Sequence, residues 1–238
     1  MYLDGTVNVN ERDQSTYHEM ISHVPMMSVK DPKRVLVVGG GDGGTVRQLL
    51  KHSNLEKVVM VDIDEIIINE FKKSMSSEDS RLEIIVGDGI EWVKNAKEED
   101  FDVVIVESSD SIPDGFSEST YSVEFYKNCH RILSSKGVIT TQSLMPMVWD
   151  ADIFKRSLAN IQTAFTKEKS TIYLIPTESY SGQTSFSLCW KGESNPKDMD
   201  KSRIKAFTEA NKLKYYNAGM HRSSFALPNY IDDSINDA

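Results

Sequence analysis

The chain has 238 residues, 39% of them apolar, so it is one large domain or one domain with an appendage, long enough to bury a core without staples. A formal net charge of −9 argues against a polyanionic partner, because nucleic-acid binders carry a basic footprint. Two cysteines (Cys129 and Cys189), no apolar run near the roughly 20 residues of a membrane span and no signal-peptide pattern exclude a disulfide scaffold and a membrane protein and imply a cytoplasmic location.

Residues up to about Met27 precede the first strong strand signal and carry the polar cluster Asn10-Glu11-Arg12-Asp13-Gln14-Ser15. Val35-Leu36-Val37-Val38 is a continuous apolar run between Lys33-Arg34 and a glycine cluster, which predicts a buried parallel strand. A helix is expected over Thr45–His52, a strand over Lys57–Asp62, a helix over Glu65–Ser74 and a strand over Leu82–Val86. The alternation continues with a helix over Ile90–Ala96, a strand over Phe101–Val106, a helix over Phe125–Leu133 and a strand over Gly137–Thr141. A helix over Asp152–Phe165 leads to an antiparallel pair, Ser170–Pro176 and Thr184–Trp190; the tail after Ser194 is mostly polar until Leu213-Lys214-Tyr215-Tyr216. This order predicts a doubly wound α/β fold, with helices on both faces of a mostly parallel sheet and an antiparallel edge.

Gly39-Gly40-Gly41-Asp42-Gly43-Gly44 falls between the first strand and its helix, where such a turn lets backbone approach a ligand. Many tight strand-to-helix turns are merely structural, but two further features support a site. Asp62 ends the next strand about twenty residues on, where an acid accepts hydrogen bonds from ribose hydroxyls. Gly87-Asp88-Gly89 ends the third strand, so all three converge on one edge of the sheet. This is a nucleoside site.

Asp42 is the informative departure from a dinucleotide turn, because a carboxylate there would repel a pyrophosphate that bare amides and the helix dipole favour. A cationic ligand fits better. S-adenosylmethionine has a sulfonium, and its decarboxylated form has also lost its carboxylate and keeps an ammonium for Asp42. Glu107-Ser108-Ser109-Asp110 ends the fourth strand with two more acids. They could bind an amine and take its proton, which a free alkyl amine must lose before it attacks, or they could simply cap a strand end. Acids crowded into one cleft favour the first reading.

Leu3-Asp4-Gly5, Glu11-Arg12-Asp13, Tyr17-His18-Glu19-Met20, the glycine turn, Gly87-Asp88-Gly89, Ser108-Ser109-Asp110, Glu124-Phe125-Tyr126 and Tyr215-Tyr216-Asn217 resemble the spermidine synthases, the polyamine aminopropyltransferases, in order and spacing. The resemblance covers nearly the whole chain. It implies a seven-stranded Rossmann-like sheet of the methyltransferase type over residues 27–238 and a remnant of an N-terminal β domain, a truncated hairpin, over 1–26. It also implies a homodimer and transfer of the aminopropyl group of decarboxylated S-adenosylmethionine to putrescine, without a metal, giving spermidine and methylthioadenosine. Asp42 would hold the aminopropyl ammonium, with Gly40 and Gly43 in the same turn. Asp62 and Ile63 would serve the ribose end, Asp88 and Gly89 the adenine and Asn8 the thioether. Tyr17, His18 and Asp110 would face the amine, and Glu107, with Tyr17, would act as base.

The departures gather on the amine side. The family's base is the first aspartate of an Asp-Ser-Ser/Thr-Asp run, and here it is Glu107, a methylene longer. A family carboxylate after the fifth strand is replaced by Leu144, the Pro-Thr-Tyr-Pro-Ser-Gly stretch reads Pro176-Thr177-Glu178-Ser179-Tyr180-Ser181-Gly182, and the gate loop 111–119 is unlike the family's. A distal ammonium would then be held by water or not at all, so methylthioadenosine should bind normally while putrescine binds poorly and turns over slowly. A putrescine-type N-methyltransferase using intact S-adenosylmethionine and a catalytically impaired nucleoside-binding relative are the alternatives. His52, His130 and His221 are scattered and read as structural, and Cys189 reads as a buried hydrophobe.

Overall fold

The structure is a computed structural model that describes residues 1–3, 6–72, 78–97, 100–108, 116–143, 151–180, 182–193 and 195–237. A two-stranded hairpin, β1 (Tyr2–Leu3) and β2 (Thr6–Val7), opens the chain and is followed by helix α1 (Gln14–Ser28). Then β3 (Arg34–Gly39), β4 (Lys57–Asp62), β5 (Leu82–Val86), β6 (Phe101–Glu107), β7 (Leu133–Gln142), β8 (Ser170–Thr177) and β9 (Gly182–Trp190) form one seven-stranded sheet in the order 5-4-3-6-7-9-8. Strands β3 to β7 pair in parallel, and β9 runs antiparallel between β7 and β8.

The continuous apolar runs arise because both faces of the sheet are covered. Successive side chains of a strand point to opposite faces. Val35 and Val37 of β3, Val58 and Met60 of β4, and Val103 and Ile105 of β6 join one core with Met20, Ile21 and Val24 of α1. Leu36, Val38, Val59, Val61, Val104 and Val106 join the other, against Phe125, Tyr126 and Cys129 of α5 (Val123–Ile132) and Phe154, Leu158 and Ile161 of α6 (Ala151–Phe165). Each such side chain, fully buried, contributes roughly 1.5–3 kcal/mol. Cys189 is buried in β9, as expected.

Both ends of the chain pack against the sheet domain. The expected boundary between residues 26 and 27 falls inside α1, which packs into the main core rather than standing apart from it. Its polar positions hid it: His18, Glu19, Ser22 and His23 are all buried. The polar tail forms α7 (Lys201–Asn211), α8 (Ala218–Ser224) and α9 (Asn229–Asp237), with Asp200 and Asn217 capping the first two. The buried Glu19 carboxylate accepts backbone N–H groups from Lys214 (3.0 Å), Tyr215 (2.8 Å) and Tyr216 (2.8 Å), which ties the tail to α1.

Nor is His52 isolated: its Nε2 lies 3.0 Å from Nδ1 of His23 in a buried pair. Burial first, then the charges of Arg203 and Lys51, hold its pKa down to about 3, which suits a structural role. No helix among the described residues is long and apolar enough to cross a membrane.

Candidate active site

The strand order reverses direction between β3 and β6, and in open α/β sheets ligands bind at the carboxyl edge beside such a point. The register puts Gly39, the last residue of β3, opposite Glu107, the last residue of β6, and Asp62 opposite Val86 at the ends of β4 and β5. Gly39, Gly40 and Gly43 take φ values of +85°, +74° and +70°, which side chains with a Cβ rarely adopt. Around this turn the acids close in. A Cβ on Gly40 would lie 2.7 Å from Glu107 Oε2, one on Gly41 would lie 2.9 Å from Asp62 Oδ2, and one on Gly44 would fall inside the His18 ring. The glycines are thus seats for the site's own side chains.

At the ends of β4 and β5 the carboxylates are held by local amides. Asp62 Oδ2 accepts the N–H of Gly41 at 2.9 Å and Oδ1 that of Asp64 at 2.8 Å, leaving further lone pairs for hydroxyl donors. Burial raises its pKa against the downward pull of those two bonds, and the charges of Asp64 and Asp42 add to the rise. Ile63, next along, is 51% exposed, and Ile66 and Val86 are exposed apolar side chains too. Asp88 caps α4 (Gly89–Asn95), accepting from Ile90 at 2.8 Å and Glu91 at 3.4 Å. A Cβ on Gly89 would meet Val38 Cγ1 at 2.6 Å, so this turn too is packed tightly on β3.

Toward α1 the arrangement differs. His18, 3% exposed, lies with Nε2 3.4 Å from Asp42 Oδ1 and 3.6 Å from Glu107 Oε1; the two acids are 11% and 9% exposed. Asp42 Oδ1 also accepts the N–H of Gly44 at 2.6 Å, and Arg47 donates to the Asp42 carbonyl at 3.4 Å and to Gln14 Oε1 at 3.0 Å. Burial pushes Asp42 up, but the His18 contact and charge, the Gly44 amide and Arg47 outweigh it and hold the carboxyl below its ordinary range. Burial pushes His18 down, but Asp42 and then Glu107 raise it above the usual imidazole value. Burial and the Asp42 charge drive Glu107 up to about 7. Glu107 Oε2 and Thr45 Oγ1 are buried without a well-formed hydrogen bond among the described residues. A carboxylate poised near neutrality beside a second acid is the chemistry of a proton acceptor.

The Tyr17 hydroxyl donates to Gln142 Oε1 at 2.6 Å, and its ring stands edge-on to His18 with centroids 5.4 Å apart. Asn8, Asp13, Gln14, Tyr17, His18 and Ser179 line a small cleft beside them, in which Asp13 accepts the backbone N–H of Ser179 at 2.8 Å. Sequence reasoning missed Arg47 and Gln14 as neighbours of the site, and no local spacing marks them. It placed His18 near the amine without foreseeing the bridge between Asp42 and Glu107. Asp110 and Leu144 lie outside the described residues, as do residues 111–115 of the gate loop.

Fold and site together define a doubly wound α/β protein with an anionic pocket at the switch point of its sheet. Residues 14–200 match the model of the spermine/spermidine synthase domain. The polyamine aminopropyltransferase of Thermotoga neapolitana is 37% identical over 98% of this chain and 78% of its own length, and that of Thermoanaerobacter sp. (strain X514) is 38% identical over 97% and 82%. The crystal structure of the spermidine synthase from Thermotoga maritima superposes with a TM-score of 0.89 at 35% identity, covering all of this chain and 80% of that one. A spermidine synthase in complex with the transition-state analogue AdoDATO gives a TM-score of 0.91 at 36% identity, over 100% and 80% of the two chains. The chain belongs to the spermine/spermidine synthase family.

Proposed function

We propose that this protein moves the aminopropyl group of decarboxylated S-adenosylmethionine to putrescine, giving spermidine and methylthioadenosine. The observation that carries this reading is the acid pair Asp42 and Glu107 bridged by His18 over the glycine turn, where a dinucleotide-binding protein needs bare amides. The relatives' activity as polyamine aminopropyltransferases supports it. Asp62 takes the ribose hydroxyls beside Ile63, Asp88 and Gly89 the adenine edge, and Asn8 the thioether side. Asp42, with Gly40 and Gly43 shaping its turn, takes the aminopropyl ammonium. The amine enters from the side of Tyr17 and His18, and Asp110 takes part in binding it.

In the transfer, the amine nitrogen attacks the carbon attached to sulfur. The sulfur–carbon bond breaks with its electron pair going to sulfur, so the leaving group departs as a neutral thioether. Before the attack Glu107, with Tyr17, takes a proton from the incoming ammonium, and the new secondary amine leaves protonated. The site contributes alignment and a negative field around a cationic transition state. Glu107 is nine-tenths buried and folds back over Gly40 toward Asp42. A misplacement of about an ångström can cost about 10²-fold, so turnover is slow. The protein works as a cytoplasmic homodimer.

Incubation with decarboxylated S-adenosylmethionine and putrescine, with products resolved by mass, tests the reading. Spermidine and methylthioadenosine in equal amounts are expected. N-methylputrescine formed from intact S-adenosylmethionine would mark a methyltransferase instead, and no product with either pair would mark an impaired relative.

A further inference from the structure

His18, Asp42 and Glu107 come from three separate parts of the chain, yet one donor atom from each lies within 4.8 Å of the others. Zinc bonds to imidazole nitrogen and carboxylate oxygen run about 2.0–2.2 Å, which sets donor–donor edges of roughly 3.3–3.6 Å in a tetrahedron. Two edges of this set already measure 3.4 Å and 3.6 Å. The third edge, between the two carboxylates, is no longer than 4.8 Å, so closing on an ion takes side-chain shifts of about an ångström or less. Three protein donors with the fourth position open is also the composition of accessible zinc sites rather than closed structural ones.

The electrostatics run the same way. Two carboxylates share a pocket in which they are 11% and 9% exposed, and a buried oxygen of Glu107 has no well-formed hydrogen bond among the described residues. Like charges buried together are costly unless a cation or a proton neutralises them. A divalent ion with two carboxylates and a neutral imidazole makes a neutral set. The His18 ring is held against Gly44 and by the edge-on Tyr17 ring, so its Nε2 stays aimed at the acids. The mixed nitrogen and oxygen donors suit first-row transition ions better than calcium or magnesium, which favour all-oxygen shells.

We propose that His18, Asp42 and Glu107 form a binding site for a divalent first-row transition ion of the zinc or cobalt type. The ion takes the place that the co-substrate's ammonium would occupy, and so inhibits by exclusion. The inhibition rests on the aminopropyl reading given above; ion binding itself does not.

Titration of the purified chain with Co2+, followed by visible absorption, and with Zn2+, followed by calorimetry, tests the site. One ion per chain is expected, with the intense visible bands of low-coordinate cobalt. His18→Asn and Glu107→Gln should each weaken binding at least tenfold, while His130→Gln leaves it unchanged. Calorimetry of the unaltered protein in buffers of different ionisation heat should show net proton release at pH 7, a readout that does not depend on any variant folding. Unaltered cobalt binding in both variants, no proton release, or no bound ion would overturn the site. Decarboxylated S-adenosylmethionine should bleach the cobalt bands and methylthioadenosine should not. Stoichiometric cobalt that depends on these residues but survives saturating co-substrate would retain the metal site, overturn the exclusion and count against the placement of the ammonium at Asp42.

Discussion

The two sides of the pocket solve the same problem differently. At the ends of β4 and β5, Asp62 and Asp88 each receive two backbone N–H groups from their own or a neighbouring strand-end turn, so their carboxylates are positioned by local backbone. Around α1, Asp42 and Glu107 are brought to His18 by tertiary packing, and one buried carboxylate oxygen has no well-formed hydrogen bond among the described residues. The first arrangement is a prebuilt cradle. The second is a charge cluster assembled from distant parts of the chain, with the burial of two acids beside one another as its cost.

The largest expected effect breaks the second side alone. Glu107→Gln should lower the rate of aminopropyl transfer by about 10²–10⁴-fold, the usual weight of a general base, with methylthioadenosine affinity nearly unchanged. The same variant should be the more stable protein. A carboxyl whose pKa is raised in the fold binds protons there more tightly than when unfolded, so its contribution to stability falls as pH rises from the ordinary carboxyl range to about 7. Thermal melts at pH 8 should therefore show a midpoint about 2–6 °C above the parent, and a smaller difference at pH 5. A variant that is less stable at pH 8 would contradict the charge cluster.

Next in size, Asp42→Asn should weaken decarboxylated S-adenosylmethionine about 10–100-fold, the worth of a charge-assisted contact, and methylthioadenosine less than about threefold. Equal losses for both ligands, measured by calorimetry, would remove the ammonium contact. Glu107→Asp then separates geometry from chemistry. It should raise putrescine turnover about tenfold if the extra methylene is the defect. Fast turnover in the parent, lost on this change, would mean a pocket rebuilt around the glutamate.

The smallest effect is on pH. Below pH 7 the cation must displace a proton from Glu107, so affinity for decarboxylated S-adenosylmethionine should fall up to about tenfold between pH 7 and pH 6. Methylthioadenosine carries no such charge, and its affinity should stay flat across the same range. A parallel fall for both ligands would place the titrating group outside the cluster.

How much of this was legible follows the same division. The strands were readable because Val35–Val38 and its counterparts are apolar on both faces, and the acids at their ends because glycines mark the turns. Local spacing carries such signals. Helix α1 was not readable: Pro25 lies inside it, no side chain caps its start, and its buried positions include two histidines and a glutamate. Those residues make sense only against partners far along the chain, Glu19 with the amides of 214–216 and His18 with Glu107. The replacement of aspartate by Glu107 was legible as chemistry, but its fold back over Gly40 was not.

The most direct test of the charge cluster compares two ligands that differ by one carboxylate. Calorimetric titration of the unaltered protein should show decarboxylated S-adenosylmethionine binding at least tenfold more tightly than intact S-adenosylmethionine, because the extra anion meets Asp42 and Glu107 in a buried pocket. Equal affinities, or tighter binding of the intact form, would contradict the account.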